Sequence, residues 1–316
     1  MKRLVLLLAW LISAAAGAGP LAYITNQGSH EVTVLDVDAR SVVARIPSGR
    51  SPAGVWVSEA AGKAFISAPD SATVTVIDLA RREVVGELKA GRSPVGLTVT
   101  PDGQRVLVAD WFSQRVLVFD AATHVALGEI AVGNAPAGLV ASPDSRTAYV
   151  ANRDDNAVGV LDIAALKQTA TMPVGNHPFA LELSFDGRTL YALNVWSNDV
   201  SVIDIAQART VATLPVGKAP YGIAFSEDGA RAYVSNQKGD SVSVIDTTER
   251  RVIATWPSVV FPEGVAVAGD RLLVVSWMDD LVGVHDARTG QLLEQIEVGR
   301  NPRGFGRFLH RPAPAH

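Results

Sequence analysis

Short runs of alternating apolar and polar residues recur along the chain about every ten positions, with Gly, Pro, Asp and Asn between them. The pattern is plainest from Ala135 to Asn176. Pro136-Ala137-Gly138 opens an apolar run, and a Ser142-Pro143-Asp144 turn follows. A second run ends Tyr149-Val150-Ala151-Asn152, and after a polar loop a third closes on Leu161-Asp162. A fourth ends Pro173-Val174-Gly175. Period-two alternation in runs bounded by turn residues predicts one four-stranded antiparallel unit.

The unit repeats every 42 residues, with opening prolines at Pro52, Pro94, Pro136, Pro178, Pro220 and Pro262, and Pro302 a further 40 residues on. Repeats of this length also occur as helical pairs, but the third runs exclude that reading. Val32–Asp36, Val74–Asp78, Val116–Asp120, Val158–Asp162, Val200–Asp204, Val242–Asp246 and Val282–Asp286 are all β-rich and lie between turns. The expected fold is all-β: a seven-bladed β-propeller of four-stranded blades. Six blades cover approximately 51–92, 93–134, 135–176, 177–218, 219–260 and 261–300. The seventh is shared by the termini. Residues 21–50 begin at a second strand, and 301–309 supply the missing first one. Pairing the C-terminal strand with the N-terminal blade closes the ring and leaves no array end to cap.

The second strands carry Tyr23-Ile24-Thr25-Asn26, Tyr149-Val150-Ala151-Asn152, Tyr191-Ala192-Leu193-Asn194 and Tyr233-Val234-Ser235-Asn236. Departures stand at Phe65–Ala68, Leu107–Asp110 and Val274–Trp277. Across nearly the whole chain after residue 18 this repeat resembles the YVTN family of β-propeller repeats. The resemblance implies the fold and leaves function open, because such propellers serve as scaffolds, surface-layer parts, ligand binders and enzyme subunits. The chain also resembles the heavy subunit of quinone-dependent amine dehydrogenases, another seven-bladed propeller. That likeness implies docking to a redox partner, with no cofactor-forming residue in this chain.

Composition narrows the setting. The 316 residues are 48% apolar and 19% charged, ample for a large core. Lys2 and Arg3, the apolar Leu4–Ile12 and the small residues Ser13–Ala18 read as a Sec-type signal peptide over 1–18. One propeller over 19–316 remains, expected to be periplasmic or secreted and monomeric. The apolar stretch falls short of the roughly 20 residues a spanning helix needs, so no membrane insertion is expected. There is no cysteine, hence no disulfide, lipoprotein anchor or Cys-x-x-Cys-His haem attachment. The formal charge of −4 becomes −6 without Lys2 and Arg3, which argues against a nucleic-acid binder.

Most conspicuous residues belong to the repeat. Asp36, Asp78, Asp120, Asp162, Asp204, Asp246 and Asp286 occupy one turn position and read as Asx turns. Gly54, Gly96, Gly138, Gly222, Gly264 and Gly304 follow the opening prolines and let crowded inner strands approach; Ala180 is the exception. Tyr23, Phe65, Leu107, Tyr149, Tyr191 and Tyr233 share one core position.

What departs from the repeat gathers on one face. The loops opening each blade share that face with the loops between second and third strands. Between the opening Pro and Gly stand Phe179, Tyr221, Glu263 and Arg303, where other blades hold Ala53, Val95 and Ala137. Arg50, Arg92, Lys218 and Arg300 precede the openings and predict a partial basic ring around the channel mouth. Trp111, Phe112, Trp196 and Trp277 come from the second-to-third loops, and His177 from an opening loop. Rings supply stiff contact area and Arg supplies forked donors, so the set predicts a ligand or partner site. Inside the channel, Trp56 and Glu182 replace small or apolar residues such as Thr98, Val140 and Ala224.

No catalytic residue, metal site or cofactor is read from the chain. There is no HExxH, GxSxG elbow, P-loop or dinucleotide fingerprint. The six histidines are scattered, and the acidic loops Arg153–Asn156, Asn198-Asp199 and Met278–Asp280 lack calcium-loop spacing. The leading reading is an exported, non-catalytic binding or scaffold protein. Its partner would be a protein, a glycan or a small anionic ligand, ahead of single-stranded nucleic acid. The alternatives are a subunit of a periplasmic quinone- or haem-dependent redox system, with His177 as the candidate haem ligand, and a lactonase-like enzyme.

Overall fold

A computed structural model describes residues 19–312; the segment read as a signal peptide lies outside them. Seven antiparallel sheets form the blades of a propeller, each running from an inner to an outer strand. The unit at 135–176 is typical, with strands Pro136–Ala141, Thr147–Asn152, Ala157–Asp162 and Lys167–Pro173. Second strands are almost wholly buried between neighbouring blades, whereas outer strands alternate between half-buried and exposed positions. The aromatic residue of the second strand is core in every blade that has one, including Tyr23, Phe65, Tyr149, Tyr191 and Tyr233. Each such side chain contributes roughly 1.5–3 kcal/mol through burial. Burial pushes the Tyr23 phenol up to about 12.

The recurring polar residues do local work. Each third-strand Asp accepts amide hydrogens two or three residues on, as from Ala39 to Asp36 at 2.8 Å and from Thr289 to Asp286 at 2.7 Å. These are the expected Asx turns. The Pro-x-Gly openings shift the register between first and second strands, from Pro94 to Leu97 and likewise in four later blades. In that bulge the glycine faces the main chain of the next blade. A Cβ at Gly138 or Gly222 would lie 2.5 Å from the carbonyl oxygen of Phe179 or Glu263, so only glycine fits. The hydroxyl in the third place of the second-strand motif reinforces the contact: Ser67 donates to the Val95 carbonyl at 2.6 Å and Ser235 to that of Glu263 at 2.5 Å.

The C-terminal residues close the ring, with one departure from a plain first strand. Pro302 bridges Asn26, Arg303 donates its amide to the Thr25 carbonyl at 2.8 Å, and Leu309–His310 pairs antiparallel with Leu21–Ala22. Between these contacts Phe305–Arg307 crosses over to pair in parallel with Gly54–Trp56 of the next blade. Gly304 and Gly306 make the crossing possible, at φ of +65° and +114°. The detour carries Phe305 to the axis and Arg307 to the lower end of the channel.

Removing residues 301–316 is expected to lower the melting midpoint of the whole ring, because it strips the inner strand from one blade and a strand partner from the next. Differential scanning calorimetry measures this; an unchanged midpoint would refute closure through these contacts.

Candidate functional site

Main-chain bonds tie the second-to-third loops to the opening loops: Trp111 to Ser93 at 3.0 Å, Val195 to His177 at 3.0 Å, Gln237 to Ala219 at 2.9 Å and Trp277 to Phe261 at 3.2 Å. The two loop sets therefore share a face. The residue just before the opening proline takes a left-handed conformation in six blades, bulky His177 and Phe261 included. Its amide is pinned by a side chain 21 residues earlier: Asn156 for His177, Asn198 for Ala219, Asp240 for Phe261 and Asp280 for Asn301, at 2.7–2.8 Å. These polar loop residues are thus parts of the scaffold. Among the described residues, no three of His, Asp and Glu gather where they could hold a metal ion.

Between the loops lies a basin of about 530 Å³. Trp111, Phe112, Trp277 and Phe261 line it from the loops, and Phe179, Tyr221, Glu263 and Arg303 line it from the Pro-x-Gly openings. Phe112 is 66% exposed, an unusual state for a ring with no outward role. Trp277 is oriented by its indole Nε1, which donates to Gln27 Oε1 at 3.3 Å, and it packs on Phe261 at 5.5 Å between centroids. Toward the axis, Phe179 packs at 4.7 Å between centroids against both Tyr221 and Phe305, the rings tilted by 33° and 36°. This trio separates the basin from a channel cavity of about 30 Å³, lined by Trp56 and Glu182 as expected. The Arg307 guanidinium lies 4.9 Å over the Trp56 ring and 2.6 Å from Glu182 Oε1, so the channel carboxylate is already paired.

The basin holds a buried charged pair. Glu263 is fully buried, with Arg303 Nε 3.1 Å from Oε2 and Gln237 Nε2 donating to Oε1 at 2.8 Å. Burial pushes the Glu263 carboxyl up to about 7, against the opposing pull of Arg303 and Gln237. Burial likewise holds the Tyr221 phenol well above its ordinary range.

Several sequence expectations are corrected here. Arg50, Arg92, Lys218 and Arg300 do not ring the basin; none of them lines it. Their loop position is fixed through the main chain, as in Arg50 N to Ser71 Oγ and Arg92 N to Asp110 Oδ1, and their side chains are left in solvent. Arg50 and Arg300 turn their guanidinium groups onto the carbonyls of Asp70 and Gly28. Trp196 and His177 also stand outside the basin, stacked on each other at 3.4 Å with 17° between planes. Trp196 sits one register position beyond Trp111, in the place that Phe112 holds in its own blade, but unlike Phe112 it packs on His177 and not on the basin, and it is 64% exposed. Burial, with help from Arg153, holds His177 below its ordinary value.

Six lining residues escaped the sequence reading: Ser93, Val95, Arg153, Val195, Gln237 and Phe261. Arg153 was hidden in an apparently acidic loop, yet its guanidinium lies 5.5 Å from the Trp111 ring and 5.7 Å from that of Trp196. The signal was there in the register: Trp111, Arg153, Val195 and Gln237 each directly follow the second-strand motif. So does Trp277, because the structure sets that blade's motif one place earlier than expected, at Leu273–Ser276, with Ser276 paired to Pro262 as Asn236 is to Pro220. All five line the basin.

Fold and site define a seven-bladed β-propeller with an aromatic top-face basin. Residues 139–231 match the family model for YNCE-like beta-propellers, and residues 16–137 match that for the Cytochrome D1 heme domain. No protein of curated function matches the chain. Among solved structures, the chain is similar to Kuenenia stuttgartiensis hydrazine synthase (19% identity, 89% of this chain and 99% of that one, TM-score 0.73). It is similar also to dihydro-heme d1 dehydrogenase NirN in complex with DHE (20%, 92% and 75%, 0.68). A third is a functionally unknown protein from Desulfotomaculum acetoxidans DSM 771 (14%, 93% and 99%, 0.80). At these identities the likeness is one of fold.

The raised Glu263 carboxyl has a consequence for stability. Its folded value of about 7 stands above the ordinary 4.5, so its ionisation works against the fold. The favourable contribution is complete below pH 4.5 and is lost as pH rises through 7. Buried His285 and half-buried His124 and His177, all held below their ordinary value, act in the opposite sense as pH rises. Relative to wild type, Glu263→Gln is therefore expected to gain stability between pH 4.5 and 7.5, by up to about 3 kcal/mol in urea unfolding. A pH-independent difference would contradict this.

Proposed function

We propose that this chain is an exported propeller, periplasmic or secreted, that works by binding and not by catalysis, with the top-face basin as its ligand or partner site. The observation that carries the reading is the basin itself. The aromatic residues that break the repeat at the Pro-x-Gly openings and after the second-strand motif converge there, and Phe112 stays in water. Burial in the fold alone does not call for such a ring. The signal-like composition of residues 1–18 supports export. Among the described residues no helix is long and apolar enough to cross a membrane.

A second reading, a binding subunit of a haem- or quinone-dependent redox system, is favoured by the match of residues 16–137 to the Cytochrome D1 heme domain model. The two readings share the basin and differ in its occupant. A lactonase-like enzyme is less favoured, since the channel carboxylate Glu182 is tied to Arg307.

Native mass spectrometry of the protein purified from its own host tests the proposal. Wild type is expected to carry a bound mass that the Trp111→Ala/Phe112→Ala variant loses and Arg300→Ala keeps. A bound mass with visible absorbance selects the redox reading. Equal retention by all three proteins would overturn the basin as the binding site.

A further inference from the structure

We infer that the basin recognises a flat, conjugated carboxylate, with Arg153 holding the carboxylate and Trp111 stacking on the ring system; the inference rests on the binding reading above and names its ligand class.

Arg153 is the basis of the argument. Its guanidinium is confined between the rings of Trp111 and Trp196, at 5.5 and 5.7 Å from their centroids. Cation–π contact on two sides holds a long side chain in one place, so little rotamer freedom remains to be lost on binding. The side chain is only 24% exposed, yet of its five N–H bonds it commits Nη1 alone, to the half-exposed Asp154 at 2.5 Å. Among the described residues Nε and Nη2 have no hydrogen-bond partner. Together they present a fork, and a fork matches the two oxygens of a carboxylate.

Each guanidinium has a carboxylate beside it, Asp154 for Arg153 and Glu263 for Arg303, so it is the uncommitted donors and not net charge that select an anion over a cation. The basin is lined by two guanidinium groups, Arg153 and Arg303, against one carboxylate, Glu263. Glu263 is already engaged by Arg303 and Gln237 and is not free to receive an ammonium. Arg303 spends Nε and Nη2 on Glu263, so the open Nε/Nη2 edge of Arg153 is the fork left for a ligand, and one such fork suits one carboxylate and not a polyphosphate. The walls select flatness. Trp111 and Phe112 lie beside Arg153, and Trp277 is held in orientation by Gln27. Rings of this kind gain most from stacking on a delocalised plane. The volume of about 530 Å³ falls in the range of small-molecule sites.

The test uses the full chain and three probes: anthraquinone-2-carboxylate, its neutral carboxamide, and saturated cyclohexanecarboxylate. Binding is read by isothermal titration calorimetry with tryptophan quenching as a second signal. The quinone carboxylate is expected to bind at least about ten-fold more tightly than either other probe, a typical margin for a charge-assisted pair. Arg153→Gln is expected to erase its advantage over the carboxamide, Trp111→Ala to weaken both quinones, and Arg92→Gln, outside the basin, to change neither. Equal binding of carboxylate and carboxamide, or an Arg153→Gln variant that keeps the preference, overturns the inference. If both quinones then still depend on Trp111, the basin stands as a binding site for neutral planar molecules. If neither quinone binds while the host-purified protein loses its bound mass in Trp111→Ala/Phe112→Ala, the ligand class is wrong and the binding reading survives.

Discussion

Seven inner strands must converge on one axis, and the structure depends on how closely their backbones approach there. The glycines of five Pro-x-Gly openings, Gly54, Gly96, Gly138, Gly222 and Gly264, lie against the carbonyl of the next blade, where a single methyl group would collide at Gly138 and Gly222. Ser67 and Ser235 donate their hydroxyls to that same row of carbonyls. The contact is therefore made by main chain, glycine and a small hydroxyl. The side chain between Pro and Gly takes no part in it. Ala137, Phe179, Tyr221, Glu263 and Arg303 all occupy that position without disturbing the ring.

This division of labour explains where specialisation collects. A repeat scaffold held by backbone contacts leaves two rows of side chains free, one between Pro and Gly and one after the second-strand motif. Both rows face the same basin because their loops are hydrogen-bonded to each other. The buried pair of Glu263 and Arg303 shows how far the freedom extends. Neighbouring blades contribute one charge each, and Gln237 from the second row completes the pairing. Such a pair is weak evidence for stability, since its desolvation offsets most of the attraction. Its value to the site is a fixed polar wall among aromatic rings.

The C-terminal crossing adds a second kind of asymmetry. By leaving its own blade for three residues, Phe305–Arg307 brings an aromatic ring and a cation to the axis, where other blades carry aliphatic or small residues. The ring joins Phe179 and Tyr221 in closing the basin from the channel, and the cation neutralises Glu182. Ring closure and site construction are thus done by the same segment.

Fold class, blade number, the core tyrosines, the Asx turns and the axial glycines were all legible in the sequence, because each is a local requirement repeated at a fixed period. A turn needs its Asp, and a close approach needs its glycine, whatever the rest of the molecule does. The contents of the basin were legible only in part. Phe179, Tyr221, Glu263 and Arg303 announced themselves by breaking one register, and they do line it. Arg50, Arg92, Lys218 and Arg300 share a register too, but that position turns its side chain to solvent, which composition does not reveal. Trp196 shares its register place with Phe112, yet Phe112 lines the basin while Trp196 stacks on His177 outside it, a difference made by the neighbouring loop and not by register. Arg153 looked like part of a charged loop until two indoles from neighbouring blades were seen to flank it. Period and residue type are properties of the chain; which side chains meet is decided by where the curvature of the ring brings the loops together.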